Sequence, residues 1–463
     1  MLPNLPVINL MTPAIFQKLS TQQRRIGYTL IAVVLLSLYL YGAIAQSVKK
    51  NTSPRLIDQS SYLHYAEKLR ESAFTNYRNG NQMPLYPLIQ SLHYVPNSGD
   101  MEFFRRGRWL NIGLSVVVLA GVAWIFFRRF PPLLALNLLL MSMFTVFMFK
   151  AGYFQVEVLY YGLTFISFLL MLRMLIAPTT KLAIWTGVIT GLAYLAKASV
   201  LPAVGLFVGW FVLKWMYGFW KNRADTSLAQ LRNGLLVVVV FLMVIAPFLI
   251  YVRVQFGHWF YNVNTTFYIW YDSWDEVRYG TRKYHDVTQY PNMPADEIPS
   301  MGKYLREHTV ADMVGRASSG LIKSYDRHTF CPCAYGYVKF LQLYSVFALW
   351  ACVVFWHTHL KILLKRHFFL GLFCLSYFAA YTLSYAWYVP IAMGHRFMLA
   401  MFLPFIFTIG ALLTYFHQQQ PTIRAFGRQV AWLNLFNLVT FLILVVDIFD
   451  ILTDRITRIS GAG

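Results

Sequence analysis

Asp58 is the first acidic side chain of the chain, and it lies a dozen residues beyond the first hydrophobic segment, residues 26 to 46. From Asp58 to Arg70, apolar residues recur with the spacing of a short amphipathic helix. We expect such a helix, next to a hydrophobic segment, to lie at a membrane surface. A carboxylate that faces a water-accessible site at the membrane surface can act as a general base, so Asp58 is the first catalytic candidate.

Other candidate residues carry charge inside or beside apolar segments. Glu157 is the only acidic residue well inside an apolar run in the first 400 residues, and Lys197, His395 and Arg396 lie near the ends of such runs. An ionisable group at that depth costs about 2.5 to 3.5 kcal/mol unless it finds water or a partner. We therefore expect Glu157 to belong to a functional site or to an internal ion pair. Lys197 and Arg396 suit phosphate binding, although long side chains can also reach the surface by snorkelling.

The composition indicates an all-α polytopic membrane protein. Apolar residues make up 57% of the chain and charged residues 13%, against roughly 25% charged residues in globular domains. A helix needs about 20 mostly apolar residues to cross a bilayer. Lys197 and Pro202 interrupt the fifth and sixth candidate spans and mark either a break or a re-entrant segment. The eleven candidate spans lie near residues 26 to 46, 109 to 127, 131 to 149, 153 to 173, 182 to 197, 199 to 216, 234 to 255, 338 to 356, 368 to 388, 397 to 416 and 430 to 449.

The distribution of basic residues predicts the orientation. With the N-terminus in the cytoplasm, the inner loops hold sixteen Lys and Arg, whereas the short outer connections hold only Lys150, Lys197 and Arg396. Residues 1 to 463 then form a single transmembrane domain with two long loops on its outer face. We expect the first loop, residues 47 to 108, to carry juxtamembrane helices and the catalytic Asp. The second, residues 256 to 337, is predicted to be a lid over the acceptor or donor.

The net charge of +21 has two interpretations. In the first, the positive charge serves as a topology signal and contacts anionic lipid headgroups. In the second, part of the excess positive charge binds an anionic substrate such as a lipid phosphate.

Nucleic acid is excluded as a partner because the basic residues are dispersed over both faces. A disulfide scaffold is excluded as well, since only Cys331 and Cys333 of the four cysteines lie in an outer loop, at a spacing tight for a direct disulfide.

The outer loops contain further ordered elements. In the first, Tyr62, Tyr65, Ala66 and Leu69 recur at helical spacing and form an apolar stripe. A segment from Pro84 onward predicts a second surface helix that begins at a proline. The second loop groups aromatic and acidic side chains between residues 261 and 290. This pairing suits contact with a sugar, but an aromatic belt at the membrane interface is the commoner explanation.

Several of these motifs together resemble a known family. Asp58 and Tyr62 form an Asp-x-x-x-Tyr pattern, and the Pro-x-Tyr element that ends at Tyr86 follows it. The segment 191 to 197 is similar to a Gly-Leu-x-x-Leu-x-Lys pattern, and His395-Arg396-Phe397 precedes a span that contains proline. In this order, the motifs resemble those of the membrane-embedded GT-C glycosyltransferases. The resemblance is to the protein O-mannosyltransferase-like family 39 and the enzyme that adds aminoarabinose to lipid A.

The resemblance implies an inverting transfer of a sugar from a polyprenyl-phosphate donor to an acceptor hydroxyl on a lipid, glycan or protein. It implies that Asp58 is the general base and that Glu157 assists or orients it. Lys197, Arg396 and His395 would bind the donor phosphate, where positive charge stabilises the leaving group. Tyr62 and Tyr86 would line the pocket. The family also implies no cofactor and no metal, although Asp58 and the acidic residues at 272, 275 and 276 could together supply oxygen ligands.

Two other classes of protein remain. A transporter or lipid flippase would line a conduction path with its intramembrane charges, but no pair of matching halves is visible and the polar residues gather on one side. A structural or assembly subunit would leave Asp58 and Glu157 without a role.

We expect the enzyme to lie in a bacterial cytoplasmic membrane with its active site on the periplasmic face.

Overall fold

The computed structural model describes residues 21–56, 58–75, 79–221, 227–325, 336–392, 398–425 and 427–455. His395, Arg396, Cys331 and Cys333 lie outside these ranges, so the predictions for them stay predictions.

Helices make up nearly all of the regular structure. In chain order they are α1 (Thr21–Lys49), α2 (Gln59–Glu71), α3 (Leu85–Ser91), α4 (Asp100–Arg129), α5 (Pro132–Ala151), α6 (Glu157–Ile176), α7 (Thr180–Ala196), α8 (Leu201–Trp220), α9 (Leu228–Phe256), α10 (Val263–Thr266), α11 (Trp274–Tyr279), α12 (Met301–Glu307), α13 (Val310–Tyr325), α14 (Tyr337–Val354), α15 (Lys361–Arg366), α16 (Phe368–Tyr388), α17 (Phe402–Gln419) and α18 (Trp432–Asp450). Short 3-10 turns occupy Ala198–Val200, Tyr268–Trp270, Thr281–Tyr284 and Leu399–Met401, and π-helical turns occupy Met143–Phe147, Trp356–Leu360 and Ile451–Arg455. Strands β1 (Ile423–Ala425) and β2 (Arg428–Val430) form an antiparallel hairpin.

Ten of the described helices are long and apolar enough to cross a membrane, namely α1, α4, α5, α6, α8, α9, α14, α16, α17 and α18. The fifth predicted span corresponds to α7, which is also apolar but shorter, with 17 residues. Each of the eleven predicted spans therefore coincides with an apolar helix. The prediction of an all-α polytopic membrane protein is confirmed.

The interruption between the fifth and sixth spans is a break between two helices. α7 ends at Ala196, and Lys197 adopts an extended conformation with φ −158° and ψ 126°. The 3-10 turn then leads into α8, where Pro202 lies in the first turn. A proline is tolerated there because the N–H that it lacks has no partner within the helix in any case. The break places the Lys197 side chain at the end of the bundle and not within a continuous helix.

α7 packs closely against α9 because small residues face the contact. A Cβ on Gly187 would lie 2.7 Å from Val240 Cβ, and a Cβ on Gly191 would lie 2.7 Å from Val244 Cγ1. The two glycines are one helical turn apart, so they form the small-xxx-small pattern that lets two membrane helices approach. Gly191 also begins the segment that ends at Lys197, so this contact helps to set the position of that side chain.

Replacing Gly191 with alanine is expected to destabilise the protein by about 1 to 3 kcal/mol, because the added methyl group overpacks the α7 and α9 contact. Gly205→Ala on α8 is the matched control, since a Cβ at Gly205 meets no atom within 4 Å. The control should keep or raise the melting temperature, because alanine favours a helix over glycine. Thermal unfolding in detergent measures both variants, and an unchanged melting temperature for Gly191→Ala would contradict this account of the packing.

The two long loops contact each other on one face of the bundle, which we call the loop face. Gly80 N in the first loop donates to Val287 O at 2.6 Å, and Val263 N in the second loop donates to Gly80 O at 2.8 Å. A side chain is not tolerated at Gly80, because a Cβ there would lie 2.6 Å from the ring of Tyr261. The loops are therefore joined through the backbone.

On the loop face, α2 and α3 pack together. Tyr62, Tyr65, Ala66 and Leu69 are all buried along α2, as the predicted apolar stripe requires. α3 begins after Pro84, as the sequence indicated. These two short helices carry the aromatic side chains of the candidate site.

Candidate functional site

A buried carboxylate and a lysine meet at the loop-face end of the bundle. Glu157 is the first residue of α6 and is 3% exposed. Lys197 Nζ lies 4.0 Å from Glu157 Oε1 and 5.7 Å from the ring centre of Tyr160. The Lys197 side chain keeps 22% of its surface exposed, so it can contact a ligand while it offsets the charge of Glu157. The structure therefore contains an ion pair between Glu157 and Lys197, which was one of the two expectations for Glu157.

Two tyrosines lie beside this ion pair. The rings of Tyr62 and Tyr86 meet edge to face with their centres 5.3 Å apart. Gln90 Nε2 donates to the Tyr86 hydroxyl at 2.8 Å. Burial raises the pKa of the Tyr86 phenol well above its ordinary value, and the nearby Tyr62 and Glu157 charges add to this effect, while the hydrogen bond from Gln90 opposes it. Tyr86 therefore remains a neutral phenol that can act as a hydrogen-bond donor.

Asp58 lies one helical turn before Tyr62. It is half-buried at the N-terminal end of α2, where its carbonyl oxygen accepts from Tyr62 N at 3.3 Å. Its side chain makes no capping hydrogen bond to its own helix, although aspartate is a favoured capping residue. A spacing of four residues puts Asp58 and Tyr62 on the same side of the helix. The structure therefore brings Tyr62, Tyr86, Glu157 and Lys197 together, with Asp58 one turn away along α2.

A group of hydroxyls adjoins Lys197 that the sequence analysis did not identify. Tyr160 and Ser199 place their hydroxyl oxygens 2.9 Å apart. Tyr381 from α16 donates its hydroxyl to Ser199 O at 2.8 Å. The sequence held a clue to two of these hydroxyls, because each lies close to a candidate residue. Tyr160 follows Glu157 by three residues, and Ser199 follows Lys197 by two. Tyr381 had no such signal, because it comes from a distant helix.

A chain of polar contacts connects the segment before Tyr86 to the end of α16. Asn264 Nδ2 donates to Asn81 Oδ1 at 2.8 Å, and Tyr388 OH donates to Asn264 Oδ1 at 2.7 Å. Asn262 Nδ2 also donates to Asn81 O at 2.9 Å. The second loop thereby supports the segment that carries Tyr86, so both loops contribute to the site.

Asp272 in the second loop holds together a separate polar cluster. Arg316 Nη1 donates to Asp272 Oδ1 at 2.7 Å, His308 Nε2 lies 2.7 Å from Asp272 Oδ2, and Tyr304 OH donates to Asp272 Oδ1 at 3.1 Å. Burial disfavours the charged form of His308, but the hydrogen bond to Asp272 and nearby carboxylates outweigh burial and raise the pKa of His308 above its ordinary value. Both Asp272 oxygens are occupied by protein groups, so this residue acts in the structure of the loop.

A metal site is not apparent in the part of the chain that the structure describes. No three His, Cys, Asp or Glu side chains lie close enough together there to hold an ion. The expectation of a reaction without a metal or cofactor stays a prediction.

Comparison with known proteins shows a distant similarity in fold. No protein-family model and no curated protein matches the chain. Among solved structures, the chain is similar to the archaeal oligosaccharyltransferase AglB from Archaeoglobus fulgidus in complex with an inhibitory peptide and a dolichol-phosphate. The similarity covers 93% of this chain and 56% of that one, at 12% identity and a TM-score of 0.46. The chain thus spans about half the length of AglB.

Proposed function

We propose that the protein is an integral membrane glycosyltransferase of the GT-C type that uses a polyprenyl-phosphate-linked sugar. The observation that carries the proposal is the ion pair of Glu157 with the partly exposed Lys197 at the loop-face end of the bundle. A lipid-linked sugar phosphate needs an interfacial site, a cation for the departing phosphate and a carboxylate near the acceptor. Lys197 supplies the cation, and α2 brings Asp58 to the same face.

In the proposed reaction, the carboxylate of Asp58 removes the proton from an acceptor hydroxyl. The acceptor oxygen forms a bond to the anomeric carbon as the bond from that carbon to the phosphate oxygen breaks. The electron pair leaves with the polyprenyl phosphate, and the configuration at the anomeric carbon inverts. Lys197, together with Arg396 and His395, stabilises the negative charge that develops on the phosphate.

Glu157 has a supporting role in this proposal. Its charge holds the Lys197 ammonium near the donor. In this proposal the rings of Tyr62 and Tyr86, which meet edge to face, form one wall of the pocket. We assign the reaction to the periplasmic face of a bacterial cytoplasmic membrane, with a lipid, glycan or protein as the acceptor and membrane lipids around the protein.

The proposal is tested by Asp58→Asn, which keeps the shape of the side chain and removes its basicity. We expect the rate of sugar transfer to fall by about 100-fold or more, because general-base catalysis contributes roughly that much. Purified protein would be incubated with radiolabelled polyprenyl-phosphate sugars and with total membrane lipid and protein as acceptors. Binding of the donor should persist in the variant.

Asp296→Asn is the matched control, since Asp296 is an exposed aspartate in the second loop. It should transfer sugar at the wild-type rate. Full activity of Asp58→Asn would remove Asp58 from the mechanism. If the wild-type protein consumes no donor from the panel, the glycosyltransferase proposal fails and a transporter or flippase becomes the better explanation.

A further inference from the structure

Hydrogen bonds from a buried amide pair join the start of α2 to the turn that precedes Glu157. Glu157 follows a short turn, residues 152 to 156, that connects α5 to α6. Within this turn, Phe154 N donates to Gln59 Oε1 at 2.7 Å, across 95 positions of sequence. Gln59 is the first residue of α2 and the immediate neighbour of Asp58. The start of α2 is therefore held against the turn that ends at Glu157.

The amide of Gln59 is fully used in this contact. Gln59 is completely buried, and it exchanges hydrogen bonds with Asn51, which donates to Gln59 Oε1 at 2.8 Å and accepts from Gln59 Nε2 at 2.6 Å. Gln59 Nε2 also donates to Leu56 O at 3.1 Å. Asn51 in turn donates to Gly152 O at 2.8 Å, at the other end of the same turn. Buried amides whose groups are all paired hold a single arrangement, because any shift leaves a polar group unpaired.

The turn itself has little room to move. The Phe154 ring packs edge to face with Tyr86 at 5.8 Å and with Phe103 at 5.5 Å between ring centres. On the α4 side, a Cβ on Gly107 would overlap with the Phe154 ring. Since the turn is wedged in place, the contact with Gln59 determines where α2 begins relative to it.

We propose that Gln59 is a positioning residue that fixes the separation between Asp58 and Glu157. This role rests on the proposed glycosyl transfer and adds a residue to it. Gln59 contacts neither substrate nor the reacting atoms. It acts by holding the helix that carries the base in register with the turn that carries Glu157, so that the acceptor and the leaving phosphate are aligned at the same time. A displacement of about 1 Å in such an arrangement can lower a rate by about 100-fold.

Gln59→Ala tests the proposal in two measurements. The first is hydrogen exchange of the Phe154 amide, which does not depend on catalysis and should lose its protection in the variant. The second is the steady-state rate of transfer, in which we expect kcat to fall by about 100-fold while KM stays within about threefold. Leu63→Ala is the matched control, because Leu63 is buried in the same helix. It should lower the melting temperature but keep Phe154 protected and kcat near the wild-type value.

A double-mutant cycle separates positioning from a general loss of stability. Combined with Asp58→Asn, Gln59→Ala should cause little further loss of rate, because the base that it positions is already absent. Leu63→Ala should change the rate of transfer by the same factor in the wild-type protein and in Asp58→Asn. Additive losses from Gln59→Ala and Asp58→Asn would overturn the positioning role.

The failure of this inference can be told apart from that of the proposed function. A wild-type kcat in Gln59→Ala, with Phe154 unprotected, overturns the role of Gln59 and leaves the glycosyltransferase standing. A wild-type protein that transfers no sugar overturns the glycosyltransferase, and the catalytic role of Gln59 with it. Retained protection of Phe154 in Gln59→Ala overturns the structural basis of the inference, whatever the activity.

Discussion

Lys197→Met is expected to lower the free energy of unfolding by about 3 to 5 kcal/mol, because it leaves the buried carboxylate of Glu157 without its lysine. Glu157 is 3% exposed, and Lys197 Nζ at 4.0 Å offsets its charge. The same change removes a positive charge that the proposed mechanism places at the leaving phosphate. We expect the rate of transfer to fall by about 100- to 1,000-fold, the cost of deleting one group that stabilises a developing anion.

The double variant Glu157→Gln with Lys197→Met separates the two effects. Replacing both members of a buried ion pair with neutral groups is often nearly neutral for stability, so the melting temperature should recover most of the loss. The rate of transfer should not recover, because the leaving phosphate still lacks its cation. Thermal unfolding and transfer assays on the same preparations measure the two outcomes. A double variant that regains activity along with stability would show that the pair serves the fold alone.

Lys339→Met provides a matched control for this comparison. Lys339 pairs with Asp447 at 3.0 Å, but its side chain is 54% exposed. An exposed pair contributes at most about 1 kcal/mol, so this variant should unfold and transfer sugar almost as the wild type does. A loss in Lys339→Met as large as that in Lys197→Met would mean that any lysine pair on this face stabilises the protein equally.

The sequence was sufficient to predict the membrane spans and the charged residues that lie within or beside them. Each of the eleven predicted apolar segments is an apolar helix in the structure, as expected from the length of apolar sequence that a helix needs to cross a bilayer. Glu157 and Lys197 were identifiable because a charge inside an apolar run is costly. The apolar stripe through Tyr62 was likewise evident from helical periodicity.

Sequence patterns did not reveal which residues meet. Periodicity gives the buried face of a helix, but the partner of that face depends on how all the helices pack. Gln59 reads as an ordinary polar residue at a helix start, yet it is fully buried, and one of its partners, Phe154 N, lies 95 positions away. Arg316 reads as a solvated charge on an amphipathic helix, yet only 6% of its side chain is exposed. Such residues become recognisable only when the folded chain supplies their hydrogen-bond partners.

Arg316→Met is expected to release α13 from the bundle, because the guanidinium group joins this helix to two other segments of the chain. Nη1 donates to Asp272 Oδ1 and Nη2 donates to Tyr271 O, both at 2.7 Å, and Nε donates to Trp387 O at 3.0 Å. The group also lies over the Trp387 ring, 4.6 Å from its centre. Removal of a buried charge that is bound in this way leaves several acceptors unpaired and costs about 3 to 5 kcal/mol.

Hydrogen exchange measures this release directly, since the amides of α12 and α13 should lose protection in Arg316→Met while those of α5 keep theirs. Arg316→Lys should recover only part of the protection, because an ammonium cannot reproduce the planar fork of donors that binds the three acceptors. Lys323→Met is the matched control, as Lys323 is exposed on the same helix. If α13 stays protected in Arg316→Met, or loses protection equally in Lys323→Met, then the close backbone contact of Gly320 with Ala386 holds the helix and the arginine does not.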